Sequence, residues 1–396
     1  MAQSRRTRLL RVPEVRFNFS PKDVRKARRD DDDDVTTETA ADDSAAASNA
    51  SESSSEHDDV AAATGKPSNE ATPSESRRMR RLHSSAVYDA LRPTHPRLAS
   101  YWMALRPWSF SASLAPVALG TALAYKSGGG DAAAFHAGAL IATLFTVLSV
   151  HGAGNLVNSF FDYHRGIDSA RADDRTLVDA ILTTEEVINF GALLYFLGCV
   201  GFVAIDWLSP ARMEHLALIY FGGLSSSFLY TGGFGLKYIA LGDVVIVVTF
   251  GPVCVLFAFI AQAGRLSLLP LAYAIPLALN TEAILHANNA RDAATDARAG
   301  IVTLPILLGA TAAYALFVLL LFAPYMMLTV AALHCGAAWL LLPLLTLPVA
   351  FRMERQYRGR DLRRLPTRLA KMNLAFGMLY SVGCLMTPTN QLPGFA

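Results

Sequence analysis

Charged side chains are scarce over most of this chain of 396 residues. Residues 1–98 contain 34 of its 68 Lys, Arg, Asp and Glu residues, so the other 298 residues are only about 11% charged. Because a water-facing domain is roughly one-quarter charged, this scarcity excludes a single soluble domain and favours a chain surrounded by lipid. The formal net charge of +2 leaves no basic excess to neutralise phosphates, which excludes a simple nucleic-acid binder.

Cysteine is equally scarce, and the four cysteines stand alone in apolar runs: Cys199, Cys254, Cys335 and Cys384. Without a Cys-x-x-Cys pair, the sequence indicates neither a disulfide framework nor a zinc site. It also lacks a Ser-His-Asp or Cys-His set and a Gly-x-x-x-x-Gly-Lys phosphate loop, so we expect no ATP-driven chemistry. The histidines inside apolar stretches, His151 and His286, are predicted to be packed in the neutral form.

Apolar stretches of about 20 residues follow one another from residue 109 onward. At 1.5 Å per residue, each is long enough to cross roughly 30 Å of hydrocarbon. The sequence therefore predicts nine transmembrane helices, at about 109–125, 134–161, 187–206, 212–231, 241–262, 268–288, 303–323, 325–349 and 370–387.

The regions around these spans differ in charge. Residues 1–98 contain little apolar surface to bury, so we expect a disordered tail before a membrane domain at 99–390 and a short C-terminal tail at 391–396. The loops after the even-numbered spans carry 14 Lys and Arg residues and the opposite loops carry three, which predicts that the former loops and the N-terminus face the cytosol. Five arginines among the first twenty residues leave a mitochondrial or di-arginine targeting signal as an alternative.

The few acids of the membrane part are concentrated at two helix ends. Asn158 and Asp162 lie at the end of the second span, and Asn288 and Asp292 lie at the end of the sixth, so Asn-x-x-x-Asp occurs twice, 130 residues apart. Residues four apart share one helix face, and Asp296 continues the second row by another turn. Two related helical halves that meet at a shared site would produce this weak repeat.

Two interpretations of these acids remain open on spacing alone. The arginines that follow the second span could neutralise them as salt-bridged loop ends. Alternatively, the two acidic helix ends hold Mg²⁺, which takes oxygen ligands from carboxylates and substrate phosphates. Lys237, in a glycine-rich loop after the fourth span, and Arg106, before the first span, could then contact a phosphate or serve as interfacial anchors.

These stretches resemble the UbiA superfamily of intramembrane aromatic prenyltransferases, and more closely its menaquinone branch, which comprises bacterial MenA and animal members. The first motif departs from the common Asn-Asp-x-x-Asp pattern because Ser159 occupies its second position. Asp168 follows Asp162 by six residues, as in the menaquinone branch. The resemblance covers about 99–390 and is carried by residues 105–113, 155–168, 173–179, 230–243, 280–282 and the stretch onward to 304.

The resemblance implies an all-α, nine-helix membrane bundle that transfers an isoprenyl chain from its diphosphate to an aromatic ring, with Mg²⁺ as cofactor. The implied catalytic residues are Asp162, Asp168, Asp292, Asp296, Lys237 and Arg175. The implied substrate-binding residues are Asn155, Asn158, Asp174, Tyr230, Asn288, Asn289, Arg291 and Arg106. The implied metal ligands are Asp162, Asp168, Asp292, Asp296 and Asn158.

The resemblance also implies the substrates: geranylgeranyl diphosphate as donor and a naphthoquinol, reduced menadione, as acceptor, with menaquinone-4 (vitamin K2) as product. Dihydroxynaphthoate, hydroxybenzoate, homogentisate and haem acceptors are the alternatives within the superfamily. We expect an endoplasmic reticulum or Golgi membrane, with mitochondria as the alternative, and a sterol-synthesis reductase as protein partner. A purely regulatory role is the rival of another class, whereas a secondary transporter is disfavoured because the acids lie at helix ends.

Overall fold

Helices form almost all of the regular structure in this computed structural model, which describes residues 97–130, 135–167 and 176–395. Among those residues there is no strand, only one isolated parallel bridge between Ile239 and Val302. The all-α prediction is confirmed for this part of the chain. The expected disordered tail lies outside the described residues, except for Arg97 and Leu98, which begin the first helix.

Ten helices are numbered here in chain order. They are α1 Arg97–Ala104, α2 Ser111–Ser127, α3 Ala137–His164, α4 Thr184–Leu208, α5 Met213–Thr231, α6 Gly242–Ala263, α7 Leu269–Arg298, α8 Leu304–Cys335, α9 Leu347–Arg358 and α10 Leu365–Met386. Short 3₁₀ segments precede α2, α6 and α9 at Pro107–Phe110, Leu236–Tyr238 and Ala338–Thr346, and another follows α10 at Thr389–Gln391.

Five of the described helices are long and apolar enough to cross a membrane: α3, α4, α6, α8 and α10. Together they make this an integral, multi-pass membrane protein. Three of the remaining predicted spans fall on α2, α5 and α7, which are shorter or more polar. The span predicted at 325–349 falls on the end of α8 and the 3₁₀ segment Ala338–Thr346. The total of nine transmembrane helices therefore stays a prediction.

The boundary predicted between the seventh and eighth spans is wrong. The sequence placed it around Pro324, but α8 continues through that proline as far as Cys335. The helix ends instead at Gly336, which has a φ of 68° and so takes the left-handed conformation that glycine adopts at little cost. A proline inside a long apolar helix removes one donor but need not end the helix when neighbouring helices pack around it.

Close approaches between helices rely on small residues. A Cβ atom added to Gly120 of α2 would collide with the Val255 carbonyl oxygen of α6, and one added to Gly377 of α10 would collide with Ala115 of α2. Since lipid provides no hydrophobic force between helices, such backbone proximity supplies the packing energy. As a result α2 is held between α6 and α10, and this arrangement fixes the helices around the candidate site.

The C-terminal residues also belong to the packed structure. Leu392 is buried, the Tyr273 hydroxyl donates a hydrogen bond to the Pro393 carbonyl oxygen at 2.8 Å, and the Phe395 ring meets the Tyr273 ring edge-on. The short tail expected after residue 390 is therefore attached to α7 through Tyr273.

Candidate active site

A cavity of about 240 Å³ opens where the C-terminal ends of α3 and α7 meet the loop between α5 and α6. Every predicted site residue that the structure describes lines this cavity: Arg106, Asn155, Asn158, Asp162, Tyr230, Lys237, Asn288, Asn289, Arg291, Asp292 and Asp296. The other three, Asp168, Asp174 and Arg175, lie outside the described residues. The roles given to these residues stay predictions, but the two acidic motifs do meet in space.

The first acidic motif is tied to the α5–α6 loop by a compact set of hydrogen bonds. The Lys237 ammonium donates to Asp162 Oδ2 at 2.6 Å and to Asn158 Oδ1 at 3.1 Å. Asn158 Nδ2 donates to Asp162 Oδ2 at 2.9 Å, as their four-residue spacing on α3 predicts. Thr231 donates to the same Asn158 oxygen at 3.1 Å. The carboxylate of Asp162 is thus fixed in place and neutralised by a lysine 75 residues away.

Tyr238 is a site residue that sequence reasoning missed. Its hydroxyl donates to Asp162 Oδ1 at 2.8 Å, and the Arg165 guanidinium lies 4.0 Å from the centre of its ring. Burial and the neighbouring Asp162 carboxylate raise the pKa of the Tyr238 hydroxyl, so it remains a donor. The available signal was its position directly after Lys237 in a glycine-rich loop.

The second acidic motif has its own cation. Arg291 donates from Nε and Nη2 to the two oxygens of Asp292 at 2.8 and 2.7 Å, and from Nη2 to Asn288 Oδ1 at 2.8 Å. These contacts form a bidentate arginine–carboxylate pair at the rim of the cavity. The structure therefore gives each Asn-x-x-x-Asp motif one basic side chain, Lys237 or Arg291.

Asp296 differs from the other two acids. It is buried, and no side chain or backbone group in the described part of the chain donates a hydrogen bond to its carboxylate. It lies on the last turn of α7, beyond the apolar part of that helix, and burial together with the nearby Asp292 charge raises its pKa to about 6. Of the three described acids, this buried carboxylate would therefore be stabilised most by a bound cation.

The donor set suits Mg²⁺ chemically, because the cavity mouth is lined by carboxylate and amide oxygens from two helices. Within 97–130, 135–167 and 176–395, however, no three Asp, Glu, His or Cys side chains are gathered closely enough to hold a metal ion. Lys237 and Arg291 instead neutralise two of the three described acids. Asp168, the fourth predicted ligand, is not among the described residues.

The deep end of the cavity is uncharged and partly aromatic, and its polar side chains are bonded to one another. His151 is bonded there to Ser109 at 3.2 Å and to Ser113 at 2.6 Å, and Asn155 donates to Ser109 at 3.0 Å. No acid in the described part pairs with this buried imidazole, so it is packed as a neutral group, as predicted. Its ring lies 4.7 Å from that of Phe250.

A smaller cavity of about 80 Å³ continues inward from this aromatic wall and shares His151, Ser227, Thr249 and Phe250 with the first. Thr249 and Phe250 belong to a π-helical turn, Thr249–Val253, that interrupts α6. Pro252 lacks the N–H that a regular helical turn would use, which explains the irregularity. The site therefore combines a charged mouth with an apolar interior.

Comparisons with known proteins agree with this geometry. The model of the UbiA prenyltransferase family matches residues 101–379. The mouse UbiA prenyltransferase domain-containing protein 1 is 56% identical over 297 residues, covering 75% of this chain and 87% of the mouse protein. The Drosophila melanogaster homologue is 57% identical over 303 residues, covering 76% and 83% of the two chains.

Among solved structures, a UbiA homologue from Aeropyrum pernix in its apo form has the same fold, with a TM-score of 0.53 at 17% identity. The match covers 70% of this chain and 97% of that one. A family match over more than half of the chain, together with relatives above 50% identity, leaves no ambiguity about membership. This chain belongs to the UbiA prenyltransferase family and is a multi-pass membrane prenyltransferase.

Proposed function

We propose that the protein transfers a geranylgeranyl group from its diphosphate to the ring of a naphthoquinol, reduced menadione, and so makes menaquinone-4. The observation that carries this proposal is the single cavity with two chemically different ends. Carboxylates, amides and two cations surround its mouth, whereas aromatic and aliphatic side chains line its interior. A diphosphate headgroup joined to a hydrocarbon chain has the same polarity along its length.

The mouth would bind the diphosphate. Asp162, Asp168, Asp292, Asp296 and Asn158 would hold Mg²⁺, which supplies charge neutralisation for the diphosphate as it leaves. The basic and amide side chains around them would contact phosphate oxygens directly. These are Lys237, Arg175, Arg291, Arg106, Asn155, Asn288 and Asn289. The resemblance also implies Asp174 as a substrate-binding residue.

The interior would hold the allylic chain and the aromatic acceptor. Trp108, Phe250 and Ile284 present apolar surface that excludes water, which would otherwise react with the allylic cation. The Tyr230 side chain lines the same cavity, and its ring would stabilise a developing positive charge at C1 of the chain. The smaller cavity behind His151 offers space for part of the prenyl tail.

A transfer assay on the full chain in lipid nanodiscs tests the proposal. Geranylgeranyl diphosphate and reduced menadione would be supplied with Mg²⁺ or with EDTA, and products identified by mass spectrometry. We expect Mg²⁺-dependent menaquinone-4 that is lost in Asp292→Asn. The matched control is Glu354→Gln, an acid outside the cavity that pairs with Arg358 at 3.2 Å.

Other outcomes separate the alternatives. Transfer to dihydroxynaphthoate or hydroxybenzoate but not to menadione would overturn the proposed acceptor and retain prenyl transfer. Donor binding without transfer to any acceptor would favour a regulatory role, in which a sterol-synthesis reductase is the partner that we propose from the family resemblance. On the same ground we propose an endoplasmic reticulum or Golgi membrane, with mitochondria as the alternative, which microscopy of the tagged chain would decide.

A further inference from the structure

Two buried carboxyl groups lie behind the cavity and have no part in the function proposed above. Glu282 of α7 is 4% exposed, and Asp243 at the start of α6 is 5% exposed. Their side chains are adjacent. Both oxygens of Glu282 and Oδ1 of Asp243 have no hydrogen-bond donor among the described residues. Native proteins satisfy nearly all such atoms, so three orphaned oxygens at one place call for a physical explanation.

A missing cation does not explain the pair. Neither acid forms an ion pair within the described ranges, and no three metal-ligating side chains gather there. A nearby basic side chain, His286, lies one turn beyond Glu282, and the charge of Asp243 acts on it. His286 Nε2 donates to the Ala313 carbonyl oxygen at 2.8 Å, and its Nδ1 has no partner. This is the bonding of a neutral imidazole, because a charged one would bury an unused N–H donor.

A shared proton does explain the pair. Two ionised carboxylates only accept hydrogen bonds, and their mutual repulsion is severe in a low-dielectric interior. When one of them is protonated, it donates to the other, which removes one negative charge and satisfies an orphaned oxygen at the same time. Asp243 and Glu282 are therefore suited to share one proton between them.

Tyr230 connects this site to the cavity. Its side chain lines the cavity, and its ring carbon Cε2 would be 3.1 Å from a Cβ on Gly242, so the ring packs directly on the backbone beside Asp243. The charge of Asp162 acts on its hydroxyl most strongly, followed by the charges of Asp243 and Glu282. Its hydroxyl donates no hydrogen bond to either acid in this structure. A phenol can nevertheless give its proton to one neighbour while it takes a proton from another, once the groups come within reach.

We propose that Asp243 and Glu282 accept, through the Tyr230 hydroxyl, the proton of the acceptor's hydroxyl group as the aromatic ring attacks the prenyl carbon. The O–H bond breaks and its electron pair enters the ring, the ring carbon forms the new C–C bond, and the C1–O pair departs with diphosphate. The departing diphosphate then takes the ring C–H proton as aromaticity returns, and the stored proton goes back to the oxygen. This inference rests on the proposed function, because it requires a hydroxylated aromatic acceptor.

Infrared spectroscopy of the full chain in nanodiscs tests the proton without any substrate. At mildly alkaline pH, where exposed acids are ionised, we expect the carbonyl-stretch band of a protonated carboxyl group in the wild type. The band should shift in deuterated water and disappear in the double variant Asp243→Asn/Glu282→Gln. Its persistence in the double variant, or its absence from the wild type, would refute the shared proton.

A series of hydroxynaphthalene acceptors of increasing acidity tests the proton transfer. Removing a general base costs about 10²-fold or more in turnover, so Glu282→Gln should lose about that factor with the least acidic acceptor. With an acceptor acidic enough to ionise unaided, the variant should approach wild-type turnover. Tyr230→Phe should show the same selective rescue, and Glu354→Gln should match the wild type throughout.

These outcomes keep the two proposals apart. Equal losses across the acceptor series would mean that the pair only supports the fold, and would overturn this inference while prenyl transfer by the wild type stands. Failure of the wild type to prenylate any hydroxylated ring would overturn the proposed function, whatever the infrared spectrum shows.

Discussion

Replacing Lys237 with methionine removes the ammonium group that neutralises Asp162 while keeping most of the side chain's apolar surface. The side chain of Asp162 is 5% exposed and that of Lys237 is 20% exposed, so the pair is largely withdrawn from water. Removing one partner of a buried pair costs about 3–5 kcal/mol. Asp162 keeps hydrogen bonds from Asn158 and Tyr238, so we expect a loss at the lower end, about 3 kcal/mol.

The assay is a double-mutant cycle on the free energy of unfolding, measured by titrating the protein from mild micelles into denaturing detergent. Lys237→Met should be more destabilising than the double variant Lys237→Met/Asp162→Asn, because the second change removes the unpaired charge. The matched control is Arg212→Met, whose pair with Glu214 has side chains 71% and 70% exposed. That surface pair should contribute little to stability, because water and salt screen it. Additive losses in the cycle, or a stable Lys237→Met, would show that the reasoning about the buried pair is wrong.

Three further predictions follow from particular contacts. Thr183 and the third helical residue of α4 form a capping box, so Thr183→Ala should lower the free energy of unfolding by about 1 kcal/mol, and Thr183→Ser should restore it. Gly120→Leu should abolish folding as judged by size-exclusion chromatography, since its Cβ has no room, whereas Gly222→Ala, with open space around it, should elute as the wild type does. Gly242→Ala should reduce prenyl transfer, because the new methyl group would lie 3.0 Å from the Lys237 Cα and 3.1 Å from the Tyr230 ring and would displace two residues that line the cavity; an unchanged rate of transfer would contradict this.

Local spacing made much of the site predictable. Asn158 and Asp162 are bonded to each other on one face of α3, and Asn288 and Asp292 are bonded at 3.4 Å on α7, as the four-residue interval requires. The concentration of the few acids of a lipid-surrounded chain at two helix ends also indicated that they belong together. The cavity that both motifs line agrees with that expectation.

Other features could not be found in this way, because they depend on which residues meet after the helices pack. Tyr238 donates a hydrogen bond to Asp162, which lies 76 residues away in the sequence. The sequence indicated Tyr238 only by its position beside Lys237. The buried pair of Asp243 and Glu282 comes from two different helices and had no local pattern. The continuation of α8 through Pro324 depended on surrounding helices rather than on the proline itself.

The sequence by itself determined that the chain is a helical membrane protein, that its acids are concentrated at two helix ends, and that it resembles the UbiA family. Hydropathy, charge density and the helical repeat are properties of contiguous residues, so they can be determined from the sequence without the tertiary structure. Only the tertiary structure decided which cation neutralises which acid, where the aromatic wall lies, and which acids remain unpaired. Those relations depend on how closely helices approach, which contacts such as that of Gly377 with Ala115 set across the bundle.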